Sequence, residues 1–203
     1  MRKNHPNFQW CRYADDGLVH CRTKRDANSL HSELEKRFIA CGLRLHPEKT
    51  KIVFCNNSRY RMGYKNRKFD FLGYTFRDRW IENPKTKVMF LGFNPGISNT
   101  AMKSIRAKIR GMNIRNRTDL TLQQIANILN PLIRGWLEYY GKFNKAALDP
   151  VLRYINLTLM AWAMRKFKRI KGKSKAAYFL KTIAEDNPGL FEHWKRGMRG
   201  VFA

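Results

Sequence analysis

The hydrophobic period of this 203-residue chain changes once, near Pro95–Gly96. Before that point, short β-branched and aromatic runs of strand length alternate with polar turns, and one segment has helical spacing. After it, apolar residues recur every three or four positions over long stretches. Strands followed by helices are typical of an α+β fold or of two domains in series. The pattern predicts an α+β part at residues 1–95, a helical domain at 96–185 and a C-terminal tail at 186–203.

The α+β part is expected to hold one helix among several strands. Thr23 and Asp26 have the spacing of a capping box and Gly42 is a helix stop signal, so the helix is expected between them. The run KIVFC, residues 51–55, predicts a buried strand. Two further strands, KFDFLGYTFR and TKVMFLGF, are predicted on either side of a polar turn near Asn83.

The helical domain is predicted from three apolar stripes with the period of an α-helix. The stripes are Met102, Ile105, Ile109 and Met112; Leu122, Ile125, Leu129, Leu132 and Trp136; and Leu148, Leu152, Ile155, Leu159 and Trp162. The third stripe is followed by RKFKRIKGKSK, residues 165–175, which is strongly basic and contains no acid.

The charge of the chain restricts its partners. It carries 41 Lys and Arg against 15 Asp and Glu, a formal net charge of +26. Such a charge favours binding to a polyanion. Nucleic acid is the first candidate and an anionic membrane surface is the second. The apolar runs are too short to span a bilayer, and the N-terminus lacks the apolar stretch of a secretory signal. An intracellular protein is therefore expected.

Against this basic background, RYADDGLVHC places Asp15 and Asp16 side by side between two strand-like runs. The Asp16–Gly17 pair predicts a tight hairpin turn. Adjacent carboxylates repel each other, and a hard cation such as Mg²⁺ turns that repulsion into binding. Two such ions can clamp the attacking and leaving oxygens of nucleotidyl transfer. An ordinary polar turn is the alternative, because Asp and Gly are common turn residues.

The residues around this turn carry a resemblance to a known family. YADD between two strands resembles the metal-binding hairpin of reverse transcriptases, and RYADDGLVHC resembles its form in group II intron-encoded proteins. In family order follow GLRLHPEKTKIVF (42–54), similar to the next palm motif, and FDFLGYTF (69–76), similar to the primer-grip hairpin. LIRGWLEYYGKF (132–143) resembles the signature of the maturase or thumb domain, domain X. The resemblance implies the C-terminal part of a polymerase palm followed by a helical thumb or maturase domain.

The resemblance also implies roles for particular residues. Asp15 would be the principal ligand of Mg²⁺ and Asp16 an auxiliary ligand. Tyr13 and Ala14 would lie near the primer terminus and the incoming nucleotide. Lys49 would lie close to the nucleotide phosphates, with a solvated lysine at a strand edge as the alternative.

Further positions are expected to contact nucleic acid. Leu72, Gly73 and Tyr74 would form part of the primer grip. Basic candidates for phosphate contacts are Arg59, Arg61, Lys65, Lys103, Arg106, Arg110, Arg165, Lys166, Lys168 and Arg169, with solvated surfaces as the alternative. Trp136, Tyr139 and Tyr140 are expected to pack between helices rather than to stack on bases.

The sequence departs from the family at its start. Full-length members carry fingers and the first half of the palm before this hairpin, including another metal-binding aspartate, whereas no acidic residue precedes Asp15 here. A two-metal site is therefore expected to be incomplete in this chain, and the chain alone is expected to be inactive as a polymerase unless a missing N-terminal reverse transcriptase fragment joins it.

Two functions follow from the resemblance. One is part of an RNA-directed DNA polymerase with maturase activity, which binds intron RNA, RNA template and DNA primer and aids splicing or mobility in the bacterial cytoplasm or in an organelle. The alternative is a non-catalytic RNA-binding maturase or splicing factor, or a truncated remnant.

Overall fold

A computed structural model describes residues 5–55 and 64–198. Within these ranges the chain forms two small antiparallel sheets and six α-helices, which confirms the predicted mixture of strands and helices. In chain order the elements are β1 (Gln9–Tyr13), β2 (Asp16–His20), α1 (Lys24–Ala40), β3 (Lys68–Phe71), β4 (Tyr74–Glu82), β5 (Met89–Ile97), α2 (Asn99–Gly111), α3 (Leu122–Tyr140), α4 (Asp149–Lys166), α5 (Lys173–Asp186) and α6 (Glu192–Lys195).

Helix α1 begins and ends where the sequence predicts. The Thr23 hydroxyl accepts a hydrogen bond from the Asp26 amide, and the Asp26 carboxylate accepts one from the Thr23 amide. Gly42 has a φ of 71°, and the amide of Leu43 donates to the carbonyl of Phe38 at 2.8 Å. These bonds satisfy backbone groups at both helix ends, as a capping box and a Schellman motif do.

The second sheet corrects one predicted strand. The run KFDFLGYTFR forms two strands, β3 and β4, because Phe71 pairs with Tyr74 and leaves Leu72 and Gly73 in the turn. Their φ angles of 50° and 77° are those of a two-residue turn that matches the twist of the flanking strands. The sheet has the order β3-β4-β5, and the predicted polar turn near Asn83 joins β4 to β5.

The predicted strand at residues 51–55 is wrong. The segment has no regular secondary structure, and Ile52 is exposed. The amide of Phe54 donates to the carbonyl of Asn66 at 2.9 Å, but within the described residues no ladder forms around it. A buried strand needs neighbours on both edges and faces, and an apolar run alone does not supply them.

The hydrophobic core lies in residues 98–198, here called the helical region, and is joined by Ile97 at the end of β5. Apart from Leu30 and Tyr74, the buried apolar residues of the described chain begin at Ile97. The third predicted stripe, which runs along α4, is buried over its whole length. No helix in the described ranges is long and apolar enough to cross a membrane.

The end of the helical region contributes to that core. Phe191 and Trp194 have no exposed surface, although they lie in the segment predicted as a tail. The Asn130 side chain of α3 donates to the Leu190 carbonyl at 2.9 Å and accepts from the Glu192 amide at 3.1 Å. These bonds hold the segment before α6 against α3.

Candidate nucleic-acid interface and metal site

Strands β1 and β2 form the acidic hairpin, residues 9–20. Tyr13 pairs with Asp16, so the two turn residues are Ala14 and Asp15, not the predicted Asp16 and Gly17. Ala14 has a φ of 50°, and its carbonyl accepts a hydrogen bond from Nε of Arg12 at 2.7 Å. Asp15 therefore lies at the tip of the hairpin and Asp16 at the first position of β2.

The apolar residues explain why the turn is two positions earlier than predicted. The observed register places Trp10 opposite Val19 and Cys11 opposite Leu18. A turn at Asp16–Gly17 would instead set these residues against the polar segment that precedes α1. Cross-strand apolar pairs stabilise a hairpin, and their register outweighs the local preference of Asp-Gly for the turn.

The two carboxylates of the hairpin are available to a cation. Asp15 and Asp16 are exposed, and neither takes part in the ion pairs found among the described residues. Carboxylate oxygens are ligands that Mg²⁺ prefers. All the Asp, Glu, His and Cys residues of the sequence lie in the described ranges, and within those ranges no group of three could hold a metal. The pair thus fits part of a two-metal site and does not complete it.

The hairpin itself has little protein around it. Tyr13 is 63% exposed and Trp10 is 40% exposed. Its sheet contains two strands in the part of the chain that the structure describes, so the outer edges are unpaired there. A two-stranded hairpin is marginally stable by itself, and its apolar residues and open edges call for a further partner.

The Lys49 region is also exposed. Lys49 lies in a turn, not at the edge of a strand, and its side chain is open to solvent. Lys65 is exposed and lines an open groove together with His31 of α1 and Lys51. Arg59 and Arg61 lie outside the described residues.

The Leu72–Gly73 turn packs against the end of α3. The Tyr139 hydroxyl donates to the Leu72 carbonyl at 2.9 Å, and the Tyr74 hydroxyl donates to the Tyr139 carbonyl. Burial raises the pKa values of Tyr74 and Tyr140. Both tyrosines of α3 therefore contact the β3–β4 hairpin. Tyr140 and Trp136 also pack against the hydrophobic core, as predicted, whereas Tyr139 is 47% exposed and departs from the prediction. The primer-grip-like and domain-X-like motifs meet at this contact, a proximity that sequence spacing does not reveal.

Two of the three basic candidates on α2 are free at the surface. Lys103 and Arg110 are exposed. Arg106 is half-buried, and its Nη2 donates to the Pro150 carbonyl at the start of α4 at 3.3 Å. Arg106 therefore contributes to helix packing as well as to the positive charge of this surface.

The basic residues at and after the end of α4 also include both free and hydrogen-bonded side chains. Arg165, Lys168 and Arg169 are exposed. The Lys166 ammonium donates to the carbonyls of Thr118 and Leu120 at 2.9 and 2.7 Å. Lys166 therefore holds the loop before α3, and this contact argues against a role in phosphate binding.

Two family models match separate parts of the chain. The model of the family described as reverse transcriptase (RNA-dependent DNA polymerase) matches residues 1–76, which include the acidic hairpin and the Leu72–Gly73 turn. The model described as group II intron, maturase-specific domain matches residues 102–179, from α2 into α5. No curated protein matches the chain.

Proposed function

We propose that this chain, which joins a reverse transcriptase segment to a group II intron maturase-specific domain, binds intron RNA through its helical region. Binding would hold the folded intron and so aid splicing or mobility, in the bacterial cytoplasm or in an organelle. The observation that carries the proposal is the set of exposed, unneutralised cations on the maturase-specific domain.

Each of these cations has the properties expected of a phosphate-binding side chain. Lys103, Arg110, Arg165, Lys168 and Arg169 are exposed, and none takes part in the ion pairs of the described residues. No acid occurs between residues 165 and 184. Cations that neutralise phosphates release condensed counterions, so such binding is strong at low salt and weakens steeply as salt rises.

Salt dependence of RNA affinity tests the proposal. The logarithm of the association constant should fall linearly with the logarithm of salt, by about 0.7–0.9 for each phosphate contacted. Lys168→Ala should make that slope shallower by about 0.7–0.9, the contribution of one phosphate contact. Lys166→Ala is the matched control: it should lower the unfolding temperature and leave the slope unchanged, because its ammonium binds backbone carbonyls. Affinity that stays constant between low and high salt would refute the proposal.

The acidic hairpin supports a second role, in polymerisation. Asp15 and Asp16 would hold Mg²⁺, which when bound supplies charge stabilisation to nucleotidyl transfer. The hairpin presents both carboxylates at one exposed end, beside Tyr13. Because the described residues supply no third ligand, the remaining carboxylate would come from another polypeptide segment, and the RNA template and DNA primer would bind only to the completed site.

A non-catalytic RNA-binding maturase is the alternative function. It is favoured by the distribution of the core, which lies almost entirely in the helical region while the acidic hairpin stays exposed. The helical region thus has the packing of a folded domain by itself, and its RNA binding would not require the metal site.

A further inference from the structure

Tyr178 is the most exposed of the large apolar and aromatic side chains on the described surface, at 74%. It lies on α5, whose opposite face carries Ala176, Leu180 and Ala184, all at 0% exposure. Packing therefore accounts for the buried face of α5 but gives no reason for an aromatic ring on its outer face. A single exposed apolar residue is ordinary by itself, so the surroundings of the ring decide its meaning.

The surroundings of Tyr178 are cationic. Lys175 precedes it by three residues and Lys181 follows it by three, and both are exposed. Residues three apart on an α-helix are neighbours on one face. The loop that precedes α5 in sequence carries two further exposed lysines, Lys168 and Lys171. The ring thus lies between two lysines on its helix. The nearest acid in the sequence is Glu185, seven residues after Tyr178.

The ring of Tyr178 also lacks an internal partner. Other tyrosines are occupied by the protein: Tyr64 stacks on Phe54 at 4.1 Å, and Tyr74 lies 5.3 Å from Tyr139 between ring centroids. In the described parts of the chain no such ring contact and no hydrogen bond to the hydroxyl occur for Tyr178. The ring is therefore free of the contacts that occupy the other tyrosines, and most of its surface is open to solvent.

We infer that Tyr178 is a stacking platform for an unpaired nucleobase, with Lys175 and Lys181 binding the flanking phosphates. The inference rests on the proposed binding of RNA by the helical region and specifies the ligand of that surface. Exposed aromatics among cations are the usual means of holding single strands, because every base has a π-face. Bases within a duplex are already stacked on each other, so the ligand is a single-stranded segment such as a loop or bulge.

The test compares two RNAs and four variants of the full chain. The RNAs are an unstructured oligouridine and a fully paired RNA duplex. Tyr178→Ala should weaken binding of the oligouridine about fivefold or more, while Tyr178→Phe, which keeps the ring, should bind within about twofold of wild type. Lys175→Ala should reduce the salt slope for oligouridine by about 0.7. Affinity for the duplex should be the same in Tyr178→Ala and wild type.

Trp80→Ala is the matched control. Trp80 is 68% exposed, and its strand β4 places Asp78 and Glu82 on the same face. Both carboxylates are ion-paired, with Arg67 and with Lys87, so among the described residues this face of β4 offers no free cation to a phosphate. Its removal should not change the affinity for oligouridine. A large loss in Trp80→Ala would show that any exposed aromatic contributes, and the specific site at Tyr178 would be refuted.

The remaining outcomes separate this inference from the proposal it rests on. Oligouridine binding by Tyr178→Ala equal to wild type would refute the stacking site and leave RNA binding intact. Equal losses in Tyr178→Ala and Tyr178→Phe, or equal losses for oligouridine and duplex, would also refute stacking. A wild-type chain that binds neither RNA would overturn the proposed function and this site with it.

Discussion

Gly73→Ala tests the contact between the Leu72–Gly73 turn and α3. Gly73 has a φ of +77°, and a Cβ built there would lie 2.9 Å from Oη of Tyr140. The Tyr140 ring cannot swing away freely, because its centroid lies 5.5 Å from that of Tyr74 and 4.8 Å from that of Tyr139. The substitution therefore introduces both backbone strain and a steric clash.

The two costs can be estimated and separated. The left-handed conformation costs an alanine about 1–2 kcal/mol, and overpacking in a confined contact costs about 1–3 kcal/mol. Gly197 is the matched control, since its φ is +78° and nothing lies within 4 Å of its built Cβ. Gly197→Ala should therefore show the strain alone, about 1–2 kcal/mol, and Gly73→Ala should lose more.

Equilibrium urea unfolding followed by tryptophan fluorescence measures both losses of unfolding free energy. Tyr140→Phe supplies a rescue, because it removes the hydroxyl and leaves a ring carbon at 3.3 Å as the nearest atom. The double variant Gly73→Ala/Tyr140→Phe should regain the stability lost to the clash and still show the loss due to backbone strain. Equal losses in Gly73→Ala and Gly197→Ala, or a double variant no more stable than Gly73→Ala, would contradict the packing of this turn on α3.

Two further predictions concern the buried histidine and the acidic hairpin. Burial lowers the pKa of His193 to about 3, so the unfolded chain binds a proton below about pH 6.5 that the folded chain does not, and stability falls as pH falls. Between pH 6.5 and 4.5 the protonation of this histidine in the unfolded chain should lower the free energy of unfolding by about 2–3 kcal/mol. His193→Gln should therefore reduce the pH dependence of the unfolding free energy measured in urea, and an unchanged pH dependence would contradict the prediction. Primer extension by the purified chain with Mg²⁺ should be absent; extension that Asp15→Ala abolishes would show that the chain completes its own metal site.

Local signals in the sequence predicted local structure well. Thr23, Asp26 and Gly42 located the ends of α1, because capping depends on residues within one turn of the helix. The apolar stripe from Leu148 to Trp162 located α4, because a helix in a core must bury one face. The acidic pair was correctly placed on a hairpin, although the pairing of Trp10 with Val19 moved the turn by two residues.

Features that depend on distant partners were not predictable in the same way. The segment 51–55 has the composition of a buried strand, but strand formation requires a paired neighbour that composition does not supply. The hydrogen bond from Tyr139 to Leu72 joins residues 67 apart in sequence. Lys166 has the same sequence character as Lys168, and only the position of the Thr118 carbonyl distinguishes a structural lysine from a surface one.

The position of strand β5 determines where the chain can be cut to make a chimera with a related protein. It pairs with β4 along its length and ends at Ile97, and the amide of Ser98, which caps α2, donates to the Gly73 carbonyl at 2.9 Å. The interval between the two family matches, residues 77–101, is thus not an irregular linker, because it contains most of β4, all of β5 and the start of α2. A chimera cut between residues 77 and 97 would divide the paired β4–β5 hairpin, whereas a cut before Lys68 would transfer the helical region together with the turn that it holds.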